Sequence, residues 1–149
     1  MPDIRRLILA VLLLGLVGTA VELVLLGHYD GPWQAAPLWV IASGLAVVVW
    51  QGARPTRGGL RALRLVMGAF VLAGGLGVLL HYRGNLEFQL ENDPNQTKWE
   101  LFWKVMRAQA PPALAPGLMA QLGLLGLIYA HKHPASVAAE NRTSAHSVG

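Results

Sequence analysis

The feature that most limits what this chain can fold into is a set of apolar runs too long for a soluble core. Leu7 to Gly27 is 21 residues interrupted by one charge, Glu22. As a helix rising about 1.5 Å per residue it covers roughly 30 Å, the thickness of a bilayer's hydrocarbon core. The runs 33–50, 63–80 and 113–130 are 18 residues each. Composition agrees: 54% of the chain is hydrophobic and 13% charged, where soluble domains carry about a quarter charged residues. The expectation is an all-α integral membrane protein, a four-transmembrane-helix bundle over residues 1–133. The polar tail 134–149 is expected to be disordered. The first run passes through Gly18-Thr19-Ala20 without stopping and ends at an aromatic-flanked turn, so it reads as a span and not as a cleaved signal peptide.

The segments between the runs carry turn chemistry. His28-Tyr29-Asp30-Gly31-Pro32-Trp33 breaks a helix with Gly and Pro and supplies interfacial aromatics. In the second span, Pro37 is expected within the tolerated first turn. Residues 51–64, with Arg54, Arg57, Arg61 and Arg64 around Pro55 and Gly58-Gly59, read as a loop with a helix start. Ala69, Ala73 and Gly77 form a small-residue stripe that predicts close packing of the third span. The long polar connection 81–112 is expected to begin with a short extended segment at 85–91, where polar and apolar residues alternate, and to turn at Asn92-Asp93-Pro94-Asn95. Thr97-x-x-Glu100 is a capping box. Trp99, Phe102, Trp103 and Met106 follow at helical spacing, so an amphipathic helix over 98–108 is expected in the headgroup plane or capping the bundle.

Basic residues set the orientation. With a cytoplasmic N-terminus, four spans place Arg5, Arg6, Arg54, Arg57, Arg61, Arg64, Lys132 and Arg142 inside, against Arg83, Lys98, Lys104 and Arg107 outside. Eight against four predicts both termini in the cytoplasm of a bacterial-type inner membrane. Basic residues flank apolar runs instead of forming a recognition surface, which argues against nucleic acid. The expected partners are the lipid bilayer and either other membrane subunits or a second copy of the chain.

An internal echo organises the chain. His28-Tyr29-Asp30-Gly31 with Gln34-Ala35-Ala36-Pro37 returns as His81-Tyr82-Arg83-Gly84 with Gln109-Ala110-Pro111-Pro112. This predicts two parallel helical hairpins, related by an axis along the membrane normal, with His28 and His81 at one depth.

Several residues are candidates for chemistry. Glu22 is an ionisable group inside a span, costly at roughly 2.5–3.5 kcal/mol and therefore a functional candidate; a structural inter-helix hydrogen bond would explain it as well. Thr19 lies on its face, and counting depth from the same membrane side puts Ser43 and Gln121 near its level. His28 and His81 are candidate ligands for haem b or a divalent metal, or hydrogen-bonding partners for a quinone. Polar anchoring of span ends is the simpler account of both. The face Trp99, Phe102, Trp103 and Met106 could be a lid over the space between these residues or a partner surface. The absence of Cys removes thiolate sites, and there is no P-loop, dinucleotide motif, His-Glu-x-x-His or Gly-x-Ser-x-Gly. With no complete catalytic set, the reading is an accessory, assembly or sensing subunit of a membrane complex and not an enzyme. The alternatives are a haem- or quinone-binding redox protein using His28 and His81, and a proton- or cation-coupled transporter using Glu22.

Overall fold

Between Arg57 and Asn92 there is no proline, and backbone polar groups in an apolar setting are satisfied most cheaply inside one continuous helix. The computed structural model, which describes residues 2–108 and 114–134, shows this outcome. It has five helices: α1 Pro2–Leu25, α2 Pro32–Ala53, α3 Arg57–Asn92, α4 Lys98–Met106 and α5 Ala115–Ala130. There is no strand among the described residues. Three helices, α1 from Ile4, α2 and α3, are long and apolar enough to cross a membrane, and α5 is a shorter apolar helix.

Several sequence expectations change. Residues 85–91 are helical, not extended: an extended segment would need a partner strand, whereas α3 pairs its own backbone until Asp93-Pro94 ends it. His81-Tyr82-Arg83-Gly84 therefore closes nothing, while its counterpart at 28–31 does form a turn, with Gly27 at φ +67° and Pro32 opening α2. The expected 51–64 loop shrinks to residues 54–56, because α2 runs to Ala53 and Thr56 caps α3 by accepting from the Gly59 N–H at 3.0 Å. Pro37 sits inside α2 and not in its first turn. The tail from 135 and the link 109–113, including Gln109-Ala110-Pro111-Pro112, lie outside the described residues.

Helices α1, α2, α3 and α5 pack in a ring in that order, and α4 touches only α3. Inside the ring Leu12, Leu16, Ile41, Val48, Leu63, Met67 and Phe70 are buried. The closest approach is between α3 and α5, where backbone meets backbone. A Cβ on Gly123 would lie 2.7 Å from the Met67 carbonyl oxygen, and one on Gly74 would lie 2.6 Å from that of Pro116. The stripe that permits this is Gly74 and Gly77, not the expected Ala69-Ala73-Gly77, since Ala69 is exposed. At the other end, Arg5 and Arg64 hold α5 in place. Arg5 donates to the carbonyl oxygens of Tyr129 (2.6 Å), Lys132 (3.2 Å) and His131 (3.3 Å), and Arg64 to that of Ala130 (2.8 Å). Two cations thus satisfy carbonyls that a helix C-terminus leaves open, at the negative end of its dipole.

The capping box forms as read: the Thr97 hydroxyl accepts from the Glu100 N–H at 3.3 Å, and Glu100 Oε2 accepts from the Thr97 N–H at 3.2 Å and hydroxyl at 2.8 Å. These bonds hold the Glu100 carboxyl below its ordinary pKa. The face of α4 turned to α3 is that of Val105, which is fully buried, and Asn85 Nδ2 donates to the Val105 carbonyl oxygen at 3.4 Å. The aromatic face points away.

Candidate functional site

Two stripes at alternating three- and four-residue spacing define the site. On α1, Gly15 and Leu12 meet Leu122 and Gly126 of α5, and the same stripe continues through Thr19 and Glu22 to Leu26. On α3, Met67, Phe70, Gly74 and Gly77 pack under Gly126, Gly123, Ala120 and Pro116, and the next position is His81. Because α5 begins only at Ala115, it covers neither stripe to its end. From Gly77, the last α3 position under α5, to Asn85, which α4 covers, the axial gap is about 12 Å. His81 sits in that gap.

The result is a cavity of about 470 Å³ at one end of the ring. Its walls are apolar: Leu23 and Leu26 at the end of α1, Pro37 of α2, Ala73 and Gly77 of α3, and Leu114, Ala115, Pro116 and Met119 at and just before the start of α5. Its polar groups are Thr19, Glu22, His28 and His81. Thr19 is buried and donates to the Gly15 carbonyl oxygen at 2.8 Å, so its hydroxyl is used within α1. Glu22 is exposed, and the two imidazoles are half-buried and line the same cavity. Both His-Tyr motifs thus deliver their histidine to one cavity, although only the first lies in a turn.

Four of the sequence candidates come together here and the others do not. Ser43 is exposed on α2 and donates to the Val40 carbonyl oxygen at 2.7 Å. Gln121 is exposed on α5 and does not line the cavity; the α5 residues that share the cavity with Glu22 are Ala115, Pro116 and Met119. No residue of α4 lines the cavity, so Trp99, Phe102, Trp103 and Met106 do not cover it in this structure. Among the described residues no three His, Asp or Glu side chains come together as metal ligands. The space against Gly74 and Gly77, which a flat cofactor could use below His81, is filled by Pro116 and Ala120.

Leu26, Leu114 and Pro116 escaped the sequence reading. The signal was present: the spacing 12, 15, 19, 22, 26 and 67, 70, 74, 77, 81 marks two faces turned to one neighbour. Gln51 was missed altogether. It is fully buried beside Gly59, with neither amide atom hydrogen-bonded. Compared with known proteins, the chain matches no family model, no curated protein and no solved structure, so the reading of this cavity rests on its own residues.

Proposed function

We propose that this chain is a small subunit of a bacterial-type inner membrane that binds a lipophilic molecule with a hydrogen-bonding head, of the quinone class, and serves as an accessory or sensing component, not an enzyme. The observation that carries this is the cavity: apolar walls for a ring and its tail, with Glu22, His28 and His81 as its available polar groups. Cavities of a few hundred Å³ with few convergent polar groups suit small-molecule ligands. Two imidazoles can donate to or accept from quinone carbonyls, and a carboxylate beside them can take or give a proton as the ligand's protonation changes.

The membrane arrangement belongs to the same proposal. In it α5 is the fourth span, its 16 residues reaching about 24 Å, and the basic residues at 5–6, 54–64 and 132 support a cytoplasmic side for both termini. The cavity then opens at the outer side, level with the end of α1. α3, at 36 residues and about 54 Å, outruns any hydrocarbon core and carries α4 outside it.

The test is titration of the purified protein with a short-tailed quinone, followed by tryptophan quenching. Saturable binding is expected, weakened at least tenfold by His81→Ala and by His28→Ala, and altered in its pH dependence by Glu22→Gln. Absence of saturable binding, or equal binding by the His variants, overturns the reading.

A further inference from the structure

We infer that the aromatic face of α4 is seated in the lipid headgroup layer of the outer leaflet, making the α3–α4 hairpin a membrane-surface anchor. Trp99 is 67% exposed, Trp103 41% and Phe102 37%. The three rings contact one another, Trp99 stacked on Phe102 at 5.9 Å and Trp103 edge-on to both at 5.5 Å. They form one preassembled apolar patch on the exposed side of α4. Stacked rings left uncovered by protein need an apolar or amphipathic neighbour.

Height selects that neighbour. Val105 is tied to Asn85, four residues or about 6 Å above His81. His81 is itself level with the end of α1, because Gly77 is level with Pro116 and the first turn of α5 shares the cavity with Glu22 and Leu26. α4 therefore lies within one or two helical turns of the hydrocarbon edge, the zone where Trp rings are enriched. Charge agrees with place. Lys98, Lys104 and Arg107 outnumber the acidic Glu100 and Asp93 on and against α4, and Arg107 lies over the Trp103 ring at 5.1 Å. A guanidinium stacked at the rim of an aromatic patch suits lipid phosphates above buried rings. Lys104 also reaches Asp93 at 3.9 Å, which holds the helix to the end of α3. The occupant we assign is thus the anionic phospholipid surface.

The natural chain has no cysteine, so one introduced thiol reports one position. Phe102→Cys and, on the outer part of α3, Glu87→Cys would each carry a fluorescent label in full-length protein reconstituted into vesicles of phosphatidylcholine and phosphatidylglycerol. At position 102 the label should be quenched by a nitroxide placed near the lipid headgroup, and its quenching by iodide should fall several-fold from the detergent value. At 87 iodide should quench it in both settings. A label at 102 that iodide reaches equally in vesicles and in detergent overturns the inference. So does one shielded from both quenchers, which would mean that a protein covers the face.

Discussion

Gly74 and Gly75 are neighbours on one helix and are expected to respond oppositely to the same methyl group. At Gly74 the Cβ would lie 2.6 Å from the Pro116 carbonyl oxygen, 2.7 Å from the Ala120 nitrogen and 2.9 Å from the Ala120 Cβ. Ordinary carbon contacts lie at about 3.5–4.0 Å, so α5 would have to retreat by roughly 1 Å. Two of the three obstructing atoms are backbone, which no rotamer change can relieve. Overpacking of this kind costs about 1–3 kcal/mol. At Gly75 nothing lies within 4 Å. Either substitution gains the same helix propensity, about 0.8–1 kcal/mol, and it cancels in the comparison. Gly74→Ala should therefore be less stable than Gly75→Ala by the packing term alone, about 1–3 kcal/mol. The assay is equilibrium unfolding in mixed micelles at increasing denaturing detergent, followed by tryptophan emission. Pro116 also lines the cavity, so Gly74→Ala should weaken ligand binding where Gly75→Ala leaves it unchanged. Equal stability of the two variants would refute the close α3–α5 approach.

Gln51→Met should raise stability by about 1–2 kcal/mol in the same assay, because it removes a buried amide without partners and keeps its volume; a loss of stability would show that the amide is satisfied in the folded protein. His133 supplies a pH dependence. Burial, and then the charges of Arg5 and Arg64, hold its imidazole below the ordinary 6.5, beside the Tyr129 ring at 5.3 Å. Since the folded value is depressed, its contribution is complete above about pH 6.5 and is lost as the pH falls through the folded value. Protection of the α5 C-terminal amides from hydrogen exchange should decline over that window, and His133→Phe should flatten the decline; identical profiles for the two proteins would remove His133 as its source.

Much of the fold could be read from hydropathy because run length and flanking charge act locally. Trp33 and Pro32 open α2 where the turn residues said a helix would start, and Thr97 with Glu100 starts α4 at the expected residue. The failures have one physical origin. At 85–91 alternating polar and apolar residues suggest an extended segment, and at 51–64 the arginines with Pro55 and Gly58-Gly59 suggest a loop, so both stretches are expected outside a helix. Yet helices stop for want of backbone partners or at proline, not at a change in polarity. Asn85 and Gln89 continue α3 because nothing there forbids it. Gln121 shows the corresponding limit for the site: its level was judged by counting from a common membrane surface, whereas the actual register is set by Gly15 against Leu122 and Gly74 against Ala120. Glycine contacts of that kind depend on two helices at once, so the spacing within one run marks the face but not the register against its neighbour.

The shortness of α5 links these observations. Had it extended two turns further at its N-terminus, its side chains would have covered Glu22 on α1 and His81 on α3, and both would be buried polar groups in search of partners. Starting at Ala115 instead, it leaves the ends of both stripes open. α4 then covers α3 again from Asn85 upward, so the length left uncovered by the described helices is bounded on both sides. Within it stand a carboxylate and an imidazole from two different helices, joined by His28 from the turn that ends α1. The two His-Tyr motifs are therefore alike in what they present and unlike in how: His28 reaches the cavity because the backbone reverses there, and His81 because its helix does not. A reading of both motifs as turns misses this, since residues 81–84 lie inside α3 and His81 still lines the cavity.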